Sequence, residues 1–373
     1  MKISVADRDQ IAQSRIVWDV LVNSMKYPSV FLTWEWVTTW IDQFGSTYDL
    51  LVLMGYEGER LVGILPLAGT RVKLEDGLLE HKVITFCGAL ELYPDHLDVI
   101  CDRNTSHEKI QSYINQFMEF LKLHNRRSII YFPFLAERGH LSRWLQQNSY
   151  RHRTIVRDDI TSPYIPFGED IDTYFQMMGK KKRYNIKREA RILFEQKKVK
   201  MAILRKGDEI EKGLDELFRL HSARSSSKGI ESTFSSDKIK EYHVLFAHET
   251  ASLEWVMIFQ LLDGNNVIAS AYGLLFHGTF NYYQAGFDPE WSHYSPGNVL
   301  IYSMIGYLSD KGIKVFDFLG GNDGYKLFWT KEHHIMKNFI IYNGGFDAYL
   351  EFAFLATRKF VKDVVSRISL LIS

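Results

Sequence analysis

Tyr282-Tyr283-Gln284-Ala285-Gly286-Phe287-Asp288-Pro289 leads into Ser295-Pro296-Gly297-Asn298 at the head of an apolar-periodic stretch, and then into Phe316-Asp317-Phe318 and Gly320-Gly321-Asn322-Asp323-Gly324-Tyr325-Lys326. The order reads as strand, capped helix, strand and glycine-rich turn. Strand, helix and strand in succession bring a ligand site to the place where the chain crosses over a sheet. The Ser295-Pro296-Gly297 turn leaves the first amides of the following helix unpaired, with the positive end of the helix dipole behind them. Such a terminus favours an anion.

Outward from this stretch, the same grammar appears twice. In the first half, an aromatic helix through Phe31-Leu32-Thr33-Trp34-Glu35-Trp36 precedes a hairpin, residues 50–54 and 61–67 about the turn Glu57-Gly58-Glu59-Arg60. Strands near 83–86 and 97–101, a helix over about 106–123 and a short buried strand at 129–132 follow. In the second half, a helix around 214–224 precedes strands at 255–262 and 267–276 about the turn Asp263-Gly264-Asn265-Asn266, then a strand at 280–285, a helix over about 297–310 and a strand at 314–318. The two hairpins align turn for turn, and each is followed by a helix and a strand placed to run parallel. Two degenerate copies of one α/β unit with mixed sheets fit this order. The proline-punctuated Ser162-Pro163-Tyr164-Ile165-Pro166 joins them, giving expected domains at 1–165 and 166–345 and a C-terminal helix at 346–373.

Composition narrows the partners. With 373 residues, two domains are the expectation, and 46% hydrophobic with 14% aromatic residues is that of a globular chain. Lys+Arg and Asp+Glu balance at 45 each, so no global field draws nucleic acid. Cys87 and Cys101 sit in apolar strand-like stretches and are read as buried thiols of a reducing compartment. The first residues lack the apolar core of a secretory signal, no apolar run spans a bilayer, and the expected location is cytoplasmic.

The most biased stretch is Lys180-Lys181-Lys182-Arg183, Lys187-Arg188, Arg191 and Lys197-Lys198. Ile186, Ala190 and Leu193 recur through it at helical spacing, so it reads as an amphipathic helix with a basic outer face, either a solvated surface or a landing site for phosphates. The tail from Ala348 is a second basic amphipathic pattern, read as docking onto the domain or, alternatively, as peripheral contact with the inner face of a membrane. Walker, dinucleotide, zinc and nucleophile-elbow motifs are missing, and the adjacent His333 and His334 cannot clamp one metal, so no metal is expected.

These residues carry a resemblance. Lys181 through Arg188, Leu220-His221-Ser222-Ala223-Arg224, Gly286-Phe287-Asp288-Pro289 with Ser295-Pro296-Gly297, and Asp317-Phe318-Leu319 with Gly321 through Lys326 and Trp329 are similar, in order, to the GNAT-type acyltransferase domain of CelD-like proteins of cellulose and exopolysaccharide biosynthesis. More distantly the chain resembles the FemAB peptidoglycan-bridge transferases. The resemblance implies two GNAT-like units packed together, the second holding an acyl-CoA or acetyl-CoA donor, or an acyl carrier protein thioester. It further implies transfer to an amine or hydroxyl of a polysaccharide, lipid or other envelope precursor. Aminoacyl transfer from charged tRNA and a catalytically silent binding module are the alternatives. The chain departs from the family pattern where Asn322-Asp323 replaces Asp-Glu and Arg224-Ser225 replaces Arg-Trp.

Acyl transfer needs a base, oxyanion donors and an acid for the leaving thiolate. The catalytic candidates are Tyr325 as acid and Asp317, Asp323 or His221 as base, with strand amides of 282–286 on the oxyanion. Tyr283, Gln284, Gly286, Ser295, Gly297 and Asn298 are the candidates for holding the donor, with Tyr283 and Gln284 on alternate faces of their strand. Arg224, Asn322 and Lys326 are the candidates for holding the acceptor.

Overall fold

In a computed structural model, residues 1–73, 80–148, 154–168, 171–321 and 324–344 are described. The chain divides into two compact units, Met1–Thr161 with the segment returning at His334, and Ser162–His333.

The first unit opens with β1 (Lys2–Val5), α1 (Arg8–Gln13), α2 (Arg15–Ser24) and α3 (Trp34–Phe44). Asp7 closes a capping box with Gln10 ahead of α1, and Thr33 caps α3 through Trp36 N. There follow β2 (Asp49–Glu57), β3 (Arg60–Lys73), β4 (Glu80–Phe86), α4 (His107–His124), β5 (Ser128–Ala136) and α5 (His140–Asn148). The strands lie in the order β1-β2-β3-β4-β5, antiparallel except for the parallel pair β4–β5. Trp18, Trp36, Trp40 and Trp144 are fully buried in this unit.

The second unit begins inside β6 (Thr154–Pro166) and continues through α6 (Ile171–Met177), α7 (Lys180–Arg191), a wide helical turn at Ile192–Gln196, β7 (Lys200–Leu204), α8 (Asp208–Ser227) and α9 (Asp237–Glu249). Then come β8 (Val256–Asp263), β9 (Asn266–Phe276), β10 (Thr279–Phe287), α10 (Pro296–Asp310), β11 (Val315–Asp317) and α11 (Lys326–Trp329), after which β12 (His333–Asn343) returns to the first unit. Its sheet runs β7-β8-β9-β10-β11-β6, again antiparallel except for one parallel pair, β10–β11. The succession hairpin, strand, helix, parallel strand is therefore present in both units, and the chain is a mixed α/β fold built on a repeated element.

Side-chain alternation assigns the faces of the second sheet. Met257, Phe259 and Leu261 of β8 and Phe280 and Tyr282 of β10 pack with Ile186, Ala190, Leu193, Val299, Leu300 and Met304 of α7 and α10. Each fully buried leucine, isoleucine or phenylalanine there contributes about 1.5–3 kcal/mol. On the opposite face, Gln260 Nε2 donates to the Gly213 carbonyl of α8. The helix with the basic outer face exists as read, with Ile186, Ala190 and Leu193 inward.

Two expectations are corrected. Residues 97–101 form no strand: Leu97 and Ile100 make isolated bridges to Leu135 and Ile64, because Asp98 turns away to accept from the amides of Val99, His140 and Leu141 at 2.8, 2.7 and 2.7 Å. Ser162-Pro163-Tyr164-Ile165-Pro166, where the units divide, is the end of β6, with Tyr164, Ile165 and Pro166 registered against Asp317, Phe316 and Val315. Finally, the segment from His334, assigned from sequence to the second domain, supplies a sixth strand to the first: β12 runs antiparallel to β5, Tyr342 opposite Ile129. Its register is fixed by partners some two hundred residues earlier, which no local pattern encodes. The expected tail helix at 346–373 lies outside the described residues.

Candidate active site

Strand β10 is where the second unit departs from the first. Tyr282 pairs with Gly273 and Gln284 with Tyr272, so Tyr283 is an extra residue, a bulge in the ladder to β9. The corresponding β3–β4 ladder runs without a shift from Leu67–Phe86 to Lys73–Glu80. On its other edge, β10 pairs with β11 only from Thr279 to Asn281 and then runs on alone to Phe287. The Asp288 amide donates to Ile268 of β9 at 2.9 Å. Counting back by the period of two, the N–H groups of Ala285 and Phe287 face away from β9, into the space that β11 vacates.

That space is a cleft of about 260 Å³ lined by Tyr282, Ala285, Gly286 and Phe287 of β10, by Ser295, Gly297 and Asn298 at the head of α10, and by Arg224, Ser270 and Tyr325. Its volume lies at the small end of ligand pockets and suits the reacting end of a donor rather than a whole carrier. The head of α10 is open. Ser295 adopts φ 52°, makes no capping side-chain hydrogen bond, and the first intrahelical bond is Val299 N to Ser295 O at 3.1 Å, so the Gly297 and Asn298 amides precede the ladder. The equivalent helix of the first unit is closed, because Ser106 Oγ accepts from Lys109 N at 3.3 Å.

Among the described residues, two buried polar atoms in the cleft wall have no hydrogen-bond partner, Arg224 Nε and Ser270 Oγ. The Arg224 guanidinium sits 5.3 Å from the Phe287 ring centroid and 6.0 Å from that of Tyr325, and its Nη1 reaches the Ala285 carbonyl at 3.5 Å. A cation stacked on two rings with its Nε unsatisfied is poised for an anionic or strongly polar ligand atom. Glu189 of α7 bonds Ser295, and burial raises its carboxyl above the usual range.

The cleft thus gathers Gly286, Ser295, Gly297, Asn298, Arg224 and Tyr325 from the sequence candidates. Others lie elsewhere. The bulge turns Tyr283 and Gln284 to the same face, where Tyr283 packs against His243 and Tyr272 and Gln284 bonds His221, so the alternation expected for these two fails. His221 is on that face too. Its Nδ1 is 2.8 Å from Ser232 Oγ, and burial, followed by the charge of Arg224, pushes its pKa down to about 4. It is therefore a neutral imidazole at neutral pH, embedded between α8 and the sheet rather than facing the cleft. Asp317 is buried and accepts from Ser162 Oγ at 3.0 Å and Leu319 N at 2.8 Å, the arrangement of a structural cap. Lys326 is buried as well, its Nζ donating to the Leu319 and Gly320 carbonyls at 3.3 and 2.7 Å, where it ties down the turn. Asn322 and Asp323 lie outside the described residues. Sequence reading missed Ser270 and took Tyr282 only for its backbone amide. Ser270 is a lone serine in an apolar strand, opposite Gly286, and that polar interruption of a buried run was the available signal. Among the described residues no cluster of His, Cys, Asp and Glu has the makings of a metal site.

Residues 180–327 match the acetyltransferase (GNAT) domain family. The matched stretch takes up most of the second unit. Its cleft, bulged strand and open helix head all fall within the matched residues. Among solved structures, FemX superposes with a TM-score of 0.61 at 11% identity, covering 92% of this chain and 98% of its own. The C-terminal domain of a putative lysylphosphatidylglycerol synthetase from Agrobacterium fabrum gives 0.54 at 11% identity, covering 95% and 99%, and L-PGS from Bacillus licheniformis gives 0.50 at 11%, covering 88% and 96%. At these identities the likeness is one of fold. No curated protein sequence matches the chain.

Proposed function

We propose that the protein is an acyltransferase that moves an acyl group from a CoA or carrier-protein thioester to an amine or hydroxyl of a polysaccharide, lipid or other envelope precursor. The observation that carries this reading is the placement of the Ala285 and Phe287 N–H groups on one wall of the cleft and the uncapped amides of Gly297 and Asn298 on another. The first pair suits a carbonyl oxygen that gains charge as the acyl group is attacked. The second suits the phosphates of the donor's handle. Tyr325 stands at the cleft as the acid for the departing sulfur, while Arg224 and Ser270 hold polar atoms of donor or acceptor. With His221 and Asp317 engaged elsewhere, proton removal from the acceptor is not assigned to either. The link to envelope precursors rests on the resemblance of the motifs to CelD-like proteins.

A second reading is aminoacyl transfer from charged tRNA. It is favoured by the superposition on FemX and on a domain named for a putative lysylphosphatidylglycerol synthetase, together with the basic face of α7. Thermal unfolding with acetyl-CoA, longer acyl-CoAs and charged tRNA separates the readings, because a ligand that binds only the folded state adds about 2.7 kcal/mol at a hundredfold excess over Kd. A raised midpoint with a CoA thioester and none with tRNA is the expected result. The reverse would replace the first reading with the second, and no response to any donor would leave a binding module.

A further inference from the structure

We propose that the outer face of α7, with the apolar side chains exposed beside it, docks the protein on an anionic lipid bilayer. On α7, Ile186 and Ala190 point into the core, so the opposite side of the helix carries Lys181, Tyr184, Arg188 and Arg191, with Lys180 and Lys187 at its flanks. Tyr184 is 65% exposed and sits among Lys180, Lys181, Lys187 and Arg188, its neighbours three and four residues away in each direction. The acid of this helix, Glu189, turns inward to Ser295, and among the described residues Lys180, Lys181, Lys187 and Arg191 make no ion pair. Among the described residues, no ion pair offsets these four charges.

The segments on either side of α7 expose aliphatic side chains. Met177 at the end of α6 is 76% exposed and Leu327 of α11 is 52% exposed. Both border α7: Arg183 Nη1 donates to the Phe175 and Gln176 carbonyls at 3.3 and 3.0 Å, and Lys182 Nζ lies 4.8 Å from the Phe328 ring centroid and donates to its carbonyl at 3.1 Å. A nucleic acid would be held by the charge and by Tyr184, yet it gains nothing from an exposed methionine and leucine. A bilayer with anionic headgroups takes both parts, the lysines and arginines at the phosphates and Met177, Tyr184 and Leu327 at the acyl boundary. That complementarity selects the membrane.

The full chain is incubated with sedimentable vesicles of phosphatidylcholine alone and of an equal mixture with phosphatidylglycerol. Binding to the anionic vesicles, little to the neutral ones, and release at high salt are expected. Removing basic charge should lower the partition about fivefold per residue, so Lys181→Glu with Arg188→Glu should cost roughly 25-fold or more. Met177→Ser with Tyr184→Ser should also weaken binding and leave what remains fully salt-sensitive. Because all these side chains are exposed, the variants should keep the wild-type unfolding midpoint, and circular dichroism shows whether they are folded. Equal binding by wild type and both variants would place any membrane contact elsewhere and overturn the proposal, as would absence of vesicle binding. Retention of an unstructured RNA, with no vesicle binding, would overturn it in favour of a nucleic acid. The readout needs no catalysis, so it fails or succeeds independently of the proposed acyl transfer.

Discussion

Gly286 shows how one residue serves both the fold and the cleft. A Cβ built there would lie 2.3 Å from His221 N and 2.6 Å from the Leu220 carbonyl carbon, both backbone atoms of α8 that cannot rotate away. Gly286→Ala should therefore destabilise by about 3 kcal/mol, the upper part of the usual overpacking range, read as a lowered denaturant midpoint at unchanged slope. The contact sits beside His221, which makes a second prediction about pH. Folded His221 takes a proton only near pH 4, whereas the unfolded chain takes it from about 6.5, so unfolding binds a proton in that window. Stability is fully present above 6.5 and is lost as pH falls toward 4, by about 1.4 kcal/mol per pH unit. Buried His243, pushed down to about 3, adds to the loss in the same direction. In His221→Gln the decline of the thermal midpoint between pH 6.5 and 4 should become shallower, and an unchanged decline would exclude His221 as a source of it. Sequence alone marked both His221 and Gly286, but a histidine flanked by Leu217, Phe218 and Leu220 reads the same whether it faces a ligand or a neighbouring serine.

The strand-helix-strand of β10, α10 and β11 was legible because each part carries a local signal: aromatic alternation, the Ser-Pro-Gly head, and the glycines after the last strand. The bulge at Tyr283 was not, since nothing in Tyr282-Tyr283-Gln284 distinguishes an extra residue from a paired one. It is set by how β9 and β10 meet, and it decides which side chains and amides face the cleft. The α10 terminus allows a direct check. Gly297 is open toward Phe287, with Phe287 Cδ1 3.5 Å from a built Cβ, so Gly297→Val fills the cleft mouth at little cost to folding. A thioester donor should then bind at least tenfold more weakly by calorimetry while the unfolding midpoint of the free protein stays within about 1 kcal/mol of the parent. An unchanged dissociation constant would move the phosphate site away from α10.

The first unit is completed by β12, which follows the whole second unit in sequence. Every residue of β5 is buried, and β12 pairs along it from Met336–Ala136 to Asn343–Ser128, with Asn338 Oδ1 accepting from Phe134 N at 2.9 Å and Asn343 Nδ2 donating to the Asn125 carbonyl at 2.7 Å. A chain ending at Glu332 would leave that buried strand with an unpaired edge. Such a truncation should lose the cooperative unfolding of the first unit and aggregate in size-exclusion chromatography, and a monomeric product with full cooperativity would show that β12 is dispensable. The repeat itself was visible because two hairpins with similar turns each precede a helix and a strand. The return of the chain to the first unit was not, because pairing between residues far apart in sequence leaves no periodic mark.

From its residues alone, this chain specified the helices and strands of the repeated element, that one order of elements recurs, and where an uncapped helix head meets a glycine-rich turn; these follow from short-range sterics, capping and apolar period. Packing in three dimensions settled the rest: the bulge that swings Tyr283 and Gln284 away from the cleft, the burial that neutralises His221 and immobilises Asp317 and Lys326, and the unpartnered Arg224 Nε and Ser270 Oγ. A side chain's chemistry depends on its solvent and its neighbours, and both are contributed by segments distant along the chain.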